Sequence, residues 1–206
     1  EETIVSNVLQ PELESAGWLV TWSILRTKRP AGGPAHRGGV TSWAKLEREI
    51  KLLLRDTSLD VLSTVIDYYA FPQDAPGMGT RPTGDPRQRV EHVEQALASA
   101  IGDRRFVSHL TLHEAESWVF AAAEQLGEWY GDPELAARLL ADSAQVGGPE
   151  LVNDSPATAP SKRLCRYRPD YVKTLDGPVA VAELGLPRLR AECPHLDRWL
   201  AGLFGM

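Results

Sequence analysis

The residues with most chemistry to offer are Asp67, Glu114 and Glu116, because each follows a short apolar run of strand length. Val61, Leu62, Val65 and Ile66 lead into Asp67, and Phe106 to Leu112 lead into His113, Glu114, Ala115 and Glu116. In an open α/β sheet, ligands sit outside the carboxyl ends of the strands. Carboxylates at two such ends are hard oxygen donors of the kind that hold Mg²⁺ together with water and substrate phosphates. Two ions held in that way stabilise the attacking and leaving oxygens of a phosphodiester cleavage. Glu1 and Glu2 add two more acids at the start of the first helix. The competing reading is structural: acids ahead of a helix cap it and complement its dipole.

A second group is basic. Residues 153 to 164, NDSPATAPSKRL, place the hydroxyls of Thr158 and Ser161 beside Lys162 and Arg163 at a predicted helix start. Cations gain nothing from the dipole at that end, whereas a phosphate there would bring the helix amides and both cations to one ligand. Arg166, Tyr167, Arg168 and Tyr171 continue a basic, aromatic patch suited to a nucleic-acid backbone and a stacked base. Its alternative is a solvated positive face. Residues 26 to 39 form a glycine- and proline-broken loop with four Lys or Arg residues, Arg37 among them, and His36. Of five histidines only His113, next to Glu114, adjoins a candidate site. No H-E-x-x-H, G-x-S-x-G or Walker A pattern occurs, so zinc peptidase, α/β-hydrolase and P-loop chemistry lack support.

The elements that must position these residues follow from periodicity and punctuation. Residues 1 to 16 predict an amphipathic helix, kinked or restarted at Pro11 and ended by Gly17. Residues 18 to 25, WLVTWSIL, predict a buried strand. Residues 42 to 55 predict a helix with Ser42 as its N-cap. After Asp67, residues 71 to 86 are rich in Pro, Gly and Asp, a loop of a length that is usually functional or disordered. Asp85-Pro86 and Asp132-Pro133 each open a helix, to Ile101 and to about Gln145. A further helix is expected from about Glu114 to Trp129. The last third reads as short helices cut by prolines, with Leu189, Leu196, Trp199, Leu200 and Leu203 facing inward. Helix and strand alternating in this way predict an α/β core with mostly parallel strands, residues 1–148, and a C-terminal helical extension, residues 149–206.

Composition sets the outer bounds. A net charge of −6 over 206 residues argues against a surface coated in basic residues for non-specific nucleic-acid binding, though not against a local basic groove. Two cysteines without metal-ligand spacing fit a reducing, cytoplasmic setting, and no apolar run is long enough for a bilayer. The chain begins at Glu1 rather than Met, so upstream residues are expected.

Taken in order, Ile66-Asp-Tyr-Tyr-Ala-Phe-Pro, Leu112-His-Glu-Ala-Glu and Thr158-Ala-Pro-Ser-Lys-Arg-Leu resemble a bacterial family of unknown function that is classed as TOPRIM-like. Members are often encoded beside an ATPase of the AAA or ABC type in phage-defence loci. The resemblance covers nearly the whole chain, from the Arg37-Gly-Gly stretch to the Cys193-Pro-His-Leu ending. It implies a TOPRIM-like fold that binds Mg²⁺ or Mn²⁺ through acids. Glu1 would be the last glutamate of a Glu-Gly-x-Thr-Glu motif whose strand lies upstream. Asp67 would stand for the Asp motif, with Tyr69 where a second aspartate is usual. Glu114 and Glu116 would be further ligands, and Lys162 would neutralise the transition-state phosphate.

The expected function is a Mg²⁺-dependent nuclease, the effector of an ATPase-linked defence system. Glu1, Asp67, Glu114 and Glu116 would hold metal, and Arg37, Ser161, Lys162, Arg163 and Arg166 would bind nucleic acid. The alternatives are a non-catalytic TOPRIM-shaped adaptor that docks an ATPase or nucleic acid, which the change to Tyr69 favours, and a metal-dependent hydrolase of small phosphorylated molecules. A homo-oligomer is compatible with any of them.

Overall fold

The computed structural model describes residues 2–25, 42–69, 71–153 and 159–205. The chain divides into two compact units, one of Glu1–Thr21 with Leu112–Met206 and the other of Trp22–Thr111. The predicted strand at residues 18 to 25 is absent. Leu19 is 94% exposed, and Trp22 and Ile24 are exposed as well. Alternation of apolar residues suits a strand, but only a neighbour to pair with makes one.

The unit Trp22–Thr111 holds every strand among the described residues. Its order is α3 (Trp43–Leu53), β1 (Leu62–Ser63), β2 (Ile66–Asp67), a 3₁₀ turn (Met78–Thr80), α4 (Pro86–Ile101), β3 (Phe106–Val107) and β4 (Leu110–Thr111). β1 pairs in parallel with β3, Leu62 opposite Phe106, and β2 pairs in parallel with β4, Asp67 opposite Thr111. The expected sheet is thus reduced to two short parallel ladders, with α4 making the crossover that parallel strands require. Between the ladders the Thr64 hydroxyl does the work of the backbone: Oγ1 accepts from His109 N and donates to His109 O, each at 3.0 Å. A β-branched residue that bonds sideways interrupts the ladder without leaving His109's peptide unpaired. The first run is only half-buried, whereas Phe106, Leu110 and Thr111 are buried.

Local signals set α4. Asp85 accepts from Arg87 N at 2.9 Å and Pro86 takes a helical position that needs no N–H. Val90, Val93 and Leu97 recur at helical spacing and are buried. Helix α3 departs from expectation at its start: Ser42 makes no side-chain cap, and Asp74 accepts from Trp43 N instead, at 3.2 Å. Its far end is closed by Arg105, whose guanidinium donates to Leu54 O at 2.6 Å and Asp56 O at 2.9 Å while pairing with Asp103 at 2.8 Å. The Pro- and Gly-rich loop after Asp67 is packed, with Phe71, Ala75 and Met78 buried. Gly77 (φ +83°) lets it approach α4, since a Cβ there would meet Ala96 Cβ at 2.8 Å and Val93 Cα at 3.0 Å.

The other unit is helical. Its N-terminal helix runs as α1 (Glu2–Ile4), a π-helical stretch Val5–Leu9, and α2 (Gln10–Ser15). The widened turn lies just ahead of Pro11, whose missing N–H and ring oppose the ordinary i→i−4 ladder. The expected helix from Glu114 is two, α5 (Ser117–Ala121) and α6 (Ala123–Tyr130), meeting at Ala122. Then come α7 (Pro133–Val146), a 3₁₀ turn (Pro149–Leu151), α8 (Pro160–Tyr167), α9 (Asp176–Leu184), α10 (Leu186–Glu192) and α11 (Pro194–Phe204). The core of this unit includes Trp118, Phe120, Leu126, Leu139, Leu164 and Leu196, each at most 1% exposed. Such residues contribute roughly 1.5–3 kcal/mol apiece by leaving water. Gly177 is required by contact: a Cβ would run into the Tyr171 hydroxyl and Val119. Among the described residues no helix is long and apolar enough to cross a membrane, and both cysteines are free thiols.

Candidate functional site

Asp67 closes β2, where the apolar run stops and the chain turns into Tyr68. Parallel register sets it opposite Thr111 on β4, and the fully buried Thr111 hydroxyl donates to Asp67 Oδ1 at 2.8 Å. Tyr68 N donates to Thr111 O at 3.2 Å, so the pairing persists one residue beyond the acid. The half-buried carboxylate is therefore oriented by a side chain that is itself locked in the ladder. Tyr68 is held in turn by Arg81, which donates to its hydroxyl at 2.9 Å and to Met78 O at 2.7 Å. Tyr69, which stands where the resemblance expects an aspartate, is exposed.

Glu114 and Glu116 belong to the other unit and have partners there. Glu114 Oε2 accepts from Ser161 N at 3.0 Å, in the first turn of α8. It does cap a helix, but one 47 residues away rather than the one that follows. Glu116 Oε1 lies 3.4 Å from Lys173 Nζ. Burial, then Glu116, then Asp176 push the neighbouring Tyr171 phenol well above its ordinary range. Its hydroxyl is buried and finds no hydrogen-bond partner among the described residues.

The structure brings Glu114 to Ser161 and hence beside Lys162, and it sorts α8 by face. Lys162 and Arg166 are exposed, whereas Ser161 and Arg163 are buried. Arg163 is turned inward onto Asp142 at 3.0 Å, which also accepts from Tyr167 Oη at 2.9 Å. Of the residues on this helix expected to bind nucleic acid, Lys162 and Arg166 face solvent and Ser161 and Arg163 do not, because neighbouring residues 100° apart cannot all face solvent on a packed helix. Arg166 lies over the Tyr167 ring and Arg168 over Tyr130, at 5.2 and 4.2 Å from the centroids. Glu1, Arg37, His36 and Thr158 lie outside the described residues.

Two acids were not singled out by sequence reasoning. Glu150, 1% exposed, accepts from His195 N at 2.9 Å and Leu196 N at 3.0 Å and so caps α11. Asp176, 5% exposed, accepts from Val172 N at 2.6 Å, from Trp129 Nε1 at 3.1 Å and from the Tyr130 hydroxyl. Burial followed by that hydrogen bond raises the Tyr130 phenol's pKa. Neither acid follows a strand-like run, and their donors come from 45 or more residues away apart from Val172. No spacing rule could have found them.

Residues 1–204 match the family described as Domain of unknown function (DUF4276). No curated protein and no solved structure matches the chain.

Proposed function

The chain belongs to the DUF4276 family, and from that premise we propose that it is a Mg²⁺-dependent TOPRIM-like nuclease. The observation that carries the reading is Asp67 at the carboxyl end of a parallel strand, its oxygen held by Thr111 across the ladder. Parallel pairing turns the ends of β2 and β4 the same way. The donor set fits the ion in kind, since carboxylates are hard oxygen ligands. Asp67, Glu114 and Glu116, with Glu1, would hold it. Mg²⁺ supplies Lewis-acid stabilisation of the scissile phosphate and activation of water. Lys162, exposed on the first turn of α8, would offset phosphate charge, and Arg166 on the same face would hold the strand. In this reading the protein is the cytoplasmic effector of an anti-phage system with an AAA- or ABC-type ATPase partner.

A second reading, a non-catalytic TOPRIM-shaped adaptor, is favoured by one observation. Glu114 and Glu116 already have structural work, the α8 cap and the Lys173 ion pair. Cleavage of plasmid and RNA by the full chain with Mg²⁺ or Mn²⁺, beside Asp67→Asn and Glu114→Gln, decides between them. Glutamine can still accept from Ser161 N, so Glu114→Gln removes charge while keeping the cap. A nuclease loses activity in both variants while remaining folded. Equal inertness of wild type and variants, with and without the ATPase, favours the adaptor.

A further inference from the structure

Within the helical unit, Trp129 on α6 is 51% exposed although Leu126, three residues before it, is fully buried. Val172 and Leu175 are exposed as well. One buried carboxylate gathers these residues. Asp176 Oδ1 accepts from Trp129 Nε1 at 3.1 Å, and Oδ2 accepts from Val172 N at 2.6 Å and from the Tyr130 hydroxyl. Val172 O in turn accepts from Leu175 N and Asp176 N, each at 2.9 Å, which closes the turn. The indole is thus held by one edge while much of its ring stays open to solvent. A large ring fixed in this way loses little freedom when something stacks on it. Exposed apolar groups brought together are the usual mark of a binding surface.

Charge decides what binds there. Residues 160 to 175 hold five Lys or Arg and one Asp, in a chain whose net charge is −6. Arg163 is engaged by Asp142, but Lys162, Arg166 and Lys173 are exposed. Arg168 lies over the Tyr130 ring at 4.2 Å, with its Nε 2.8 Å from Asp170, and Lys173 Nζ is 3.4 Å from Glu116. A phosphate must compete with those carboxylates, so binding should weaken steeply with salt. Tyr171, expected to stack on a base, is only 7% exposed, and Trp129 offers the open ring in its place. An apolar protein partner has no use for the cations, whereas a polyanion carrying flat bases uses both. Bases in a duplex already stack on one another, so only a single strand offers them free. With Nε1 committed to Asp176, the indole reads no base edge and should tolerate any sequence.

We propose that Trp129 is a base-stacking platform for single-stranded nucleic acid, with Arg168 and Lys173 holding the backbone beside it. This deepens the nucleic-acid part of the function proposed above, on which it rests, and it needs no metal. The test is fluorescence anisotropy with the full chain and no divalent ion, so that nothing is cut. Three labelled ligands of equal length, about 12 nucleotides, are compared: oligo-dT, an abasic strand with the same phosphates, and a duplex. Wild type should bind oligo-dT at least about fivefold more tightly than either of the others. Trp129→Gln keeps an N–H for Asp176 but removes the ring. It should lose roughly 5- to 150-fold on oligo-dT and change little on the abasic strand. Trp129→Phe keeps a ring without the N–H and should restore the preference for oligo-dT, which a merely structural role would not do. Thermal unfolding of each variant checks its fold.

Equal affinity of wild type for the three ligands overturns the platform and leaves the nucleic-acid reading standing. So does an unchanged preference for oligo-dT in folded Trp129→Gln. Should that variant unfold, the wild-type comparison and Trp129→Phe still decide. If wild type binds none of the three, the nucleic-acid reading falls and takes the platform with it. Self-association that Trp129→Gln abolishes, without any preference for the single strand, makes this face a protein interface and overturns the proposal too.

Discussion

The two compact units treat their carboxylates differently. In the helical unit, Glu150 and Asp176 are almost fully buried and surrounded by donors: two backbone amides for the first, and an amide, an indole and a phenol for the second. A charge so placed is tolerated only because its lone pairs are met. In the strand-bearing unit, Asp67 is half-buried at a strand end and oriented by the Thr111 hydroxyl. The difference separates acids that hold the fold from an acid that the fold presents. Glu114 stands between these cases, half-buried and capping α8 from a distance.

The largest effect that would break this contrast lies at Glu150. Glu150→Ala leaves the His195 and Leu196 amides unmet in a buried place and should cost about 3 kcal/mol or more, read by chemical denaturation. A loss below about 1 kcal/mol would mean that the acid is not structural. Next comes the packing around Asp176. Gly177→Ala should cost about 1–3 kcal/mol because the new methyl meets the Tyr171 hydroxyl. Adding Tyr171→Phe, which deletes that unpartnered hydroxyl, should recover part of it in a double-mutant cycle.

Asp67→Asn should change stability by less than about 1 kcal/mol, since an amide oxygen can still accept from Thr111. The same variant should lose any Mg²⁺-dependent rise in melting temperature. A large metal-independent loss of stability would move Asp67 into the structural class.

The smallest effect concerns pH. The Arg105 side chain, then its backbone N–H, hold the Asp103 carboxyl at about 2, below the ordinary 3.8. A lowered folded value means stabilisation that is present above about 3.8 and lost as pH falls through about 2. The Arg105 cap on α3 should therefore loosen between those values, visible as movement of the Arg105 amide resonance. Asp103→Asn should flatten that transition.

Legibility followed the range of the interactions. Helices α4 and α7 start where Asp85-Pro86 and Asp132-Pro133 say they should, because each aspartate accepts from an amide two or three residues on. The inward set Leu189, Leu196, Trp199, Leu200 and Leu203 is buried as periodicity predicts. Where the acceptor is distant no local pattern announces it: Asp74 serves Trp43, Glu114 serves Ser161 and Glu150 serves α11. Every helix start has amides to satisfy, but which carboxylate meets them depends on the path of the chain. The same limit explains residues 18 to 25, whose β-prone composition was legible but which form no strand among the described residues.

By itself, then, the sequence determined the helices with local caps, the apolar runs before Asp67 and Glu114, and the mixed α/β class. These depend on propensity and periodicity within a few residues. Tertiary structure alone decided that the parallel pairing is confined to short ladders bridged by Thr64, that Arg163 turns inward while Lys162 stays out, and that His113 takes a left-handed turn. Those outcomes depend on which groups distant parts of the chain bring to the same place, and no local pattern contains that information.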